Sequence, residues 1–260
     1  MKLKDIIEAA GHQSPLFLLS NDDGYEAPGL QALANRLSQM GDVWVAAPHE
    51  ERSATSQMIN IWKPLRVNQM KEQHFAIEGS PSDCMMLGLQ WLVPRKPDVV
   101  ITGINRGGNI GTDTQYSGTV AAATEASIVD IPAIATSLCG SHPKNYQMAA
   151  DIVAEIVEQV DLSKIAGKVL NVNIPDLPRK DIKGLKQTSL AKRCQYPKIE
   201  KKHDPRGREY YWHGAAEYRF EGDKDSDFLA VNDGFVSASV LGRTRYEKEA
   251  TDRLELEGAI

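Results

Sequence analysis

Short apolar runs alternate with helical patterns through the first two-thirds of this chain of 260 residues. Each run is a few residues long and ends at turn-forming residues, as buried strands do. The predicted strands cover 16–19, 43–47, 58–67, 74–77, 99–102, 132–137 and 169–174, and the predicted helices cover 29–40, 81–93, 119–129 and 146–160. This alternation favours a mostly parallel sheet with helices on both faces.

The pattern changes after residue 178, where polar and aromatic residues become frequent. Residues 209–213 indicate the second strand of an exposed hairpin, residues 227–241 a return strand, and residues 246–256 a terminal helix. An aromatic hairpin is hard to bury within its own chain, so a contact with a second subunit is expected. The predicted organisation is one domain with an N-terminal extension, divided into an extension at 1–14, a core at 15–190, an arm with return strands at 191–245 and a C-terminal helix at 246–260.

Composition excludes several classes of protein. Apolar residues make up 42% and charged residues 25% of the chain, as in ordinary globular proteins, and the net charge of −5 argues against a general binder of nucleic acids. No segment approaches the roughly 18 apolar residues that span a bilayer. The three cysteines are far apart and have no metal-binding spacing. These features predict a cytoplasmic protein with no membrane partner.

A pair of aspartates follows the first predicted strand. The apolar run at 16–19 ends in Ser20-Asn21-Asp22-Asp23-Gly24, so two adjacent carboxylates lie where a buried strand enters a loop. Ligands of open α/β sheets bind at this edge. Two close carboxylates repel each other unless a cation or a proton lies between them. The alternative is a solvated acidic turn, because Asn, Asp and Gly all favour turns.

Two further loops carry small oxygen donors after predicted strands. Loop two follows the strand at 43–47, and loop three follows the strand at 99–102. The polar residues of loop two are Arg52, Ser53, Thr55 and Ser56. Those of loop three are Asn105, Asn109, Asp113, Ser117 and Thr119. Parallel strands place these loops on one edge of the sheet. Carboxylate, amide and hydroxyl oxygens suit a hard divalent cation such as Mg²⁺ or Mn²⁺.

Loop three is rich in glycine, which lets backbone N–H groups approach an anion closely. Ser117-Gly118-Thr119 then begins a helix, whose N-terminus is a natural phosphate site. The alternative is a long surface loop with an ordinary serine cap. The spacing matches neither a dinucleotide-binding motif nor a P-loop. Metal and phosphate together favour phosphoryl chemistry. An aspartyl-phosphate enzyme using Asp22 is a rival, although Gly24 stands where such enzymes carry a second aspartate.

Several motifs, taken in order, resemble the SurE family of stationary-phase survival proteins. The motifs are Ser20-Asn21-Asp22-Asp23-Gly24, Ala27-Pro28-Gly29, Arg52-Ser53, Gly79-Ser80-Pro81-Ser82-Asp83-Cys84, Gly103-Ile104-Asn105 with Asn109, Tyr116-Ser117-Gly118-Thr119-Val120-Ala121-Ala122-Ala123, Asn171-Val172-Asn173-Ile174-Pro175 and Asp204-Pro205-Arg206-Gly207. The resemblance runs from about residue 15 to the C-terminus.

The resemblance implies a metal-dependent phosphatase for nucleoside 5′- and 3′-monophosphates, and sometimes for short polyphosphate. It implies a Rossmann-like three-layer αβα sandwich whose C-terminal β-hairpin arm and helix are exchanged in homodimers or homotetramers. One divalent ion per subunit is implied, with ligands that match Asp22, Asp23, Ser53 and Asn105. The implied phosphate contacts match Asn109, Ser117, Gly118 and Thr119. The alternative function is a nucleotide- or phosphate-binding module without catalysis.

These residues give a specific hypothesis. Asp22 and Asp23 anchor the cation, and one of them orients or deprotonates the attacking water. Two features depart from the family pattern, namely the extension at 1–14 and Arg106 at a position where a small residue is common. The Arg106 side chain is expected to face solvent.

Overall fold

The computed structural model describes residues 1–194, 198–213, 220–244 and 246. Helices α1 to α6 are Leu3–Ala10, Pro28–Leu37, Pro81–Leu87, Gly118–Ile128, Tyr146–Gln159 and Asp227–Asn232. Strands β1 to β13 are Leu16–Ser20, Asp42–Pro48, Val67–Lys71, His74–Ile77, Val99–Arg106, Ala133–Cys139, Lys168–Pro175, Leu185–Gln187, Lys192–Arg193, Ile199–His203, Glu209–His213, Phe220–Glu221 and Val236–Gly242. A π-helical turn, Gly88–Leu92, continues α3, and short 3-10 turns cover Gly111–Gln115, Leu162–Lys164 and Arg179–Asp181.

Nine of the described strands form one sheet, in the order β3-β4-β2-β1-β5-β6-β7-β13-β8. The strands from β4 to β7 are parallel to one another. The two ends are mixed, since β3 is antiparallel to β4 and β13 is antiparallel to β7. The predicted α/β class with a mostly parallel sheet is confirmed.

The sheet has an apolar core on each face. Phe17 and Leu19 of β1 point into a core formed with α1, α2 and α5, whereas Leu18 points into the core formed with α3 and α4. Because helices cover both faces, every residue of β1 is buried. This explains why β1 is a continuous apolar run rather than an alternating one. The arrangement is the three-layer sandwich predicted from the sequence.

The N-terminal extension forms helix α1. Leu3 and Ile7, one turn apart, are buried in the core that α2 and α5 share. Asp98 holds the segment after this helix, because its carboxylate accepts a hydrogen bond from the Leu16 N–H at 2.8 Å and lies 3.5 Å from the His12 ring. The extension is therefore packed against the sheet.

Two sequence predictions were wrong. Residues 58–66 contain no strand, because capping groups of α3 hold them: Asp83 accepts from the Asn60 N–H at 2.9 Å and Ser80 donates to the Met58 carbonyl at 2.5 Å. The predicted strand at 227–241 is instead helix α6 followed by β13. The carboxylate of Asp227 fixes the start of this helix, because it accepts hydrogen bonds from the N–H groups of Gly111 and Ala191.

The predicted hairpin arm is present as the pair β10–β11, and all ten of its residues are exposed. Asp204 holds the turn by accepting hydrogen bonds from the N–H groups of Arg206 and Arg208 at 2.8 and 2.9 Å. The predicted C-terminal helix at 246–260 lies outside the described residues, apart from Tyr246. None of the described helices is long and apolar enough to cross a membrane.

Candidate active site

The candidate site lies where the order of the strands reverses. From β1 the chain proceeds to β2 on one side, and it later returns to β5 on the other side of β1. The loops after β1 and β5 therefore leave the same edge in opposite directions and open a crevice between them. Ligands of open α/β sheets bind at this switch point.

Hydrogen bonds join the three predicted loops into one surface. The Arg52 N–H of loop two donates to the Asp22 carbonyl at 2.7 Å. The Arg106 N–H at the end of β5 donates to a carboxylate oxygen of Asp23 at 2.9 Å. Loop two also reaches loop three, because the Ser56 N–H donates to the Tyr116 carbonyl at 3.0 Å. The predicted convergence of the loops is thus present in the structure.

Asp22 is a buried carboxylate with few hydrogen-bond donors. It follows the last residue of β1 by two positions and is only 3% exposed. The Thr119 hydroxyl donates to its Oδ1. The pKa of Asp22 is raised from 3.8 to about 6, because burial and the nearby charge of Asp23 outweigh the lowering effect of the Thr119 hydrogen bond. The ionised form of Asp22 therefore needs a compensating positive charge.

Gly118 lets helix α4 begin directly against Asp22. A Cβ atom at this position would lie 2.8 Å from the Asp22 Cβ and 2.9 Å from the Cγ of Pro81. Such distances are too short for carbon atoms, so only glycine fits. The N-termini of α3 and α4 consequently meet at Asp22, and each adds positive partial charge to its surroundings.

Asp23 is more accessible than Asp22. Burial raises its pKa, as does the charge of Glu51, whereas the N–H and the guanidinium of Arg106 lower it. Arg106 thus contributes a backbone donor to the site, while its side chain is 60% exposed and lies 3.5 Å from Glu51. The exposed side chain agrees with the prediction, but the contact of its N–H with Asp23 was not predicted.

The N-terminus of α4 is arranged as an anion site. Ser117 is its N-cap, because its Oγ accepts from the Val120 N–H at 3.0 Å. The oxygen accepts in this bond, so the hydroxyl proton remains available to donate to a phosphate oxygen. The hydroxyl proton of Thr119 is already committed to Asp22. Among the predicted phosphate groups, Ser117 and Gly118 therefore lie at the open end of the helix.

A buried amide network holds Asn109. Its N–H donates to Asn173 at 2.8 Å, its carbonyl accepts from Asn171 at 2.9 Å, and its side-chain amide donates to Ser137 at 2.8 Å. The second N–H of that side chain can still donate to an anion. Asn171, Asn173 and Ser137 were not identified as site residues from the sequence, although the first two belong to a motif of the family.

Ser53 and Asn105 make hydrogen bonds to groups other than the aspartates. The Ser53 hydroxyl donates to Glu51 at 3.0 Å, and the Asn105 amide donates to the Gly107 carbonyl at 2.9 Å. Both donations leave the oxygen lone pairs of these side chains free to bind a cation. Glu51 is a further residue that sequence reasoning missed, because nothing in its local pattern indicates a role.

The donor set fits a hard divalent cation. It combines two carboxylates with hydroxyl and amide oxygens, the ligands that Mg²⁺ and Mn²⁺ prefer. Burial raises the pKa of Asp22, so a cation beside this carboxylate would stabilise its ionised form. In the described part of the chain, no three His, Cys, Asp or Glu side chains cluster as metal ligands, so neutral oxygens would complete a set built on Asp22 and Asp23.

One predicted donor of loop three is used differently. The carboxylate of Asp113 forms an ion pair with Arg193 of β9. This contact joins residues 80 positions apart and could not be inferred from the local sequence. Asp113 therefore supports the loop instead of adding a third carboxylate beside Asp22 and Asp23.

Comparisons with known proteins agree with this arrangement. The sequence profile of the family "Survival protein SurE" matches residues 17–196. The chain is 46% identical over 226 residues to "5′-nucleotidase SurE" of Geotalea daltonii, an alignment that covers 86% of this chain and 91% of that protein. It is 42% identical to the protein of the same name from Legionella pneumophila, with 86% and 89% covered.

A solved structure has the same fold. The crystal structure of the SurE protein from Aquifex aeolicus superimposes with a TM-score of 0.80 at 35% identity, covering 92% of this chain and 98% of that one. The family profile covers more than half of the chain, and the relatives align over most of their length. The chain belongs to the SurE family.

Proposed function

We propose that this protein is a metal-dependent phosphatase that hydrolyses nucleoside 5′-monophosphates to nucleoside and phosphate. The 3′-monophosphates and short polyphosphate are further proposed substrates. The observation that carries the proposal is the contact between buried Asp22 and the N-terminus of α4. A carboxylate and a bound phosphate at one helix end repel each other, so a cation between them is required. The name 5′-nucleotidase, given to relatives more than 40% identical, supports the choice of substrate.

Asp22 and Asp23, with Ser53 and Asn105, would hold one divalent cation per subunit, Mg²⁺ or Mn²⁺. The bound cation supplies charge neutralisation and acidifies water that it contacts. Thr119 orients Asp22 through its hydroxyl, which keeps the carboxylate in one position. The side chain of Ser53 is fixed by its hydrogen bond to Glu51, and that of Asn105 by its hydrogen bond to the Gly107 carbonyl.

The phosphate binds at the open end of α4 and beside Asn109. The Ser117 hydroxyl, the N–H of Gly118 and the free amide N–H of Asn109 donate to its non-bridging oxygens. Asp23 accepts the proton of the attacking water, because its carboxylate is more accessible than that of Asp22. Attack of the water oxygen on phosphorus breaks the bond to the 5′ oxygen of the nucleoside, and this oxygen leaves with the proton that Asp23 accepted.

The proposed partners are the nucleotide substrate and further copies of this chain. The fully exposed hairpin β10–β11 supports a homodimer or homotetramer held by the arm, because an isolated two-stranded hairpin is only marginally stable. We also assign the protein to the cytoplasm. The three cysteines Cys84, Cys139 and Cys194 are free thiols, as is usual in a reducing compartment.

Release of phosphate from AMP, GMP, 3′-AMP and tripolyphosphate, with Mg²⁺, Mn²⁺ or a chelator, tests the proposal. We expect activity with a metal, loss of activity in chelator and recovery when metal is restored. The double variant Asp22→Asn/Asp23→Asn should be inactive. Full activity of that variant, or full activity in excess chelator, would contradict the mechanism. Binding of AMP without turnover, unchanged in the double variant, would favour the non-catalytic module.

A further inference from the structure

A second buried carboxylate lies behind the phosphate loop, here defined as residues 107–117. Asp227, the first residue of α6, is fully buried. Its Oδ2 accepts from the Gly111 N–H at 2.7 Å, and its Oδ1 accepts from the N–H groups of Ala191 and Phe228, both at 2.8 Å. One side chain therefore joins the phosphate loop, the residues 191–193 and α6. We call residues 191–193 the arm base, because the hairpin arm follows them.

Arg193 of the arm base makes a second set of contacts with the phosphate loop. Its N–H donates to the Thr112 hydroxyl at 3.2 Å, and its guanidinium pairs with Asp113. The guanidinium carbon also lies 5.6 Å from the centre of the Tyr116 ring. Tyr116 directly precedes Ser117, so these contacts extend to the residue next to the cap of α4.

The two segments pack without space between them. Gly111 has φ +56°, and a Cβ atom at this position would overlap the carbonyl of Ala191. A loop with glycines at 107, 108 and 111 has wide conformational freedom, and contacts from outside the loop must fix it. Asn171 and Asn173 fix its first half through Asn109. Asp227 and Arg193 fix its second half.

We propose that Asp227 and Arg193 are positioning residues for phosphate binding. They hold the second half of the phosphate loop, and thereby Ser117 at the N-terminus of α4, against the arm base. This inference rests on the proposed function, since Ser117 is its phosphate ligand. A consequence is that displacement of the arm base changes the affinity for phosphate without any change in the aspartate pair.

The test compares Asp227→Asn, Asp113→Asn and Arg193→Lys with the full-length wild-type protein. An asparagine at 227 keeps the size of the side chain but cannot accept with both of its terminal atoms. We expect KM for AMP and the inhibition constant of inorganic phosphate to rise about tenfold in Asp227→Asn, which corresponds to about 1.4 kcal/mol. The value of kcat should change less, because binding to ground state and transition state is weakened together. Arg193→Lys, which keeps the charge, should lose less than Asp113→Asn.

Amide hydrogen exchange supplies a readout that is independent of activity. In Asp227→Asn and Asp113→Asn, exchange should rise together in residues 109–117 and in the arm base. Asp98→Asn is the matched control, because Asp98 is also buried and accepts a backbone N–H, but at the opposite edge of the sheet. We expect the control to lower thermal stability while leaving KM, the phosphate inhibition constant and exchange of the loop unchanged.

The outcomes separate this inference from the proposed function. Asp113 is partly exposed, so its substitution is less disruptive than that of Asp227. Asp113→Asn therefore tests the inference if Asp227→Asn does not fold. Folded variants with the phosphate inhibition constant and loop exchange of the wild type would overturn the inference even if the wild type hydrolyses AMP. A wild type without phosphatase activity would contradict the proposed function. Amide hydrogen exchange of the phosphate loop and the arm base would still show whether Asp227 and Arg193 hold these two segments together.

Discussion

Two buried aspartates of this protein have opposite surroundings. Asp227 accepts three backbone N–H groups, so both of its carboxylate oxygens are hydrogen-bonded within the protein. Asp22 receives the hydroxyl of Thr119 and lies beside a second carboxylate, Asp23. Burial without enough donors destabilises a charged group. The contrast supports the proposed role of Asp22 as a metal ligand, because a bound cation would supply the positive charge that this carboxylate lacks.

The first prediction concerns the stability of the metal-free protein. The folded-state pKa of Asp22 is raised from 3.8 to about 6, so the folded state binds the proton more tightly than the unfolded state. Stability is therefore lost as pH rises from about 4 to about 6, and the loss at pH 7 is about 3 kcal/mol. Asp22→Asn should raise the free energy of unfolding in chelator at pH 7.5 by up to this amount.

Denaturant unfolding in chelator at pH 4 and pH 7.5 measures this effect. The difference between Asp22→Asn and wild type should shrink at pH 4, where the wild-type carboxyl is protonated. With saturating Mn²⁺ the order should reverse, because the cation stabilises only the wild type. Equal stability of the two proteins at both pH values in chelator would refute the argument.

Glu51 carries the second prediction. Its Oε1 accepts from Ser53 at 3.0 Å and lies 3.5 Å from the Arg106 guanidinium. Because it orients a proposed metal ligand, Glu51→Ala should weaken Mn²⁺ binding about tenfold in the absence of nucleotide. Glu51→Gln, which keeps an acceptor for Ser53, should lose less. Titration calorimetry measures both affinities.

A matched control for Glu51 is its neighbour Glu50. Glu50 pairs with Arg52 at 2.6 Å instead of with Ser53. We expect Glu50→Ala to bind Mn²⁺ as the wild type does. A loss in Glu50→Ala equal to that in Glu51→Ala would mean that the overall charge of the loop, and not the orientation of Ser53, determines the affinity.

The residues of the site could be predicted only in part from the sequence. The aspartate pair stood out because turn formers directly follow a buried apolar run. Glu51 and Asp113 could not be assigned, because their partners depend on how separate loops lie against each other. The same holds for Arg106, whose exposed side chain was expected but whose N–H contact with Asp23 depends on where β5 ends.

Most core elements were predicted well. Strands β1, β2, β4, β6 and β7 and helices α2, α4 and α5 match the sequence patterns closely, whereas β5 begins at the predicted residue but continues four residues further, to Arg106. Helix α6 has only six residues, too few for a helical period to differ from alternation. The segment 58–66 has strand-like composition, yet its polar groups bind the cap of α3. Tertiary contacts override weak local preference in both cases.

The third prediction concerns the junction of β1, α3 and α4 at Gly118. In an open helix, Gly→Ala would stabilise by up to about 1 kcal/mol. Here the new Cβ would press on Asp22 and Pro81, so we expect Gly118→Ala to lower both the melting temperature and phosphatase activity. Thermal unfolding and AMP hydrolysis measure the two effects.

Thr124→Ala is the control for a substitution by alanine in α4 that adds no contact with Asp22. Thr124 is half-buried and donates only to the Val120 carbonyl within α4. Its replacement should leave activity close to that of the wild type. If Gly118→Ala were as active and as stable as Thr124→Ala, close packing of α4 on Asp22 would not be needed for function.

At the scale of the whole molecule, the order of strands determines where the site can form. The chain leaves β1 in one direction and returns to β5 on its other side, which opens the crevice at Asp22. Alternation in the sequence predicted the layers, but not which strands are neighbours. That residues 15–260 act as one domain stays a prediction, as does the helix at 246–260. Helix α1 extends the packed region to residue 3.

The fourth prediction concerns assembly through the hairpin arm. Tyr210 and Trp212 lie on the same face of β11, with ring centres 6.5 Å apart, and are 38% and 60% exposed. No other layer supports the pair β10–β11 within the described residues. Burial of two such rings against a second subunit would contribute several kcal/mol. Trp212→Ala should therefore lower the mean mass measured by analytical ultracentrifugation at micromolar concentration.

Trp91 offers the competing surface. It is 82% exposed and borders an apolar groove of about 340 Å³ beside α3. We expect Trp91→Ala to keep the mass of the wild type, because the proposed subunit contact is made by the arm and not by this groove. A lower mass for Trp91→Ala with an unchanged mass for Trp212→Ala would move the interface to the groove.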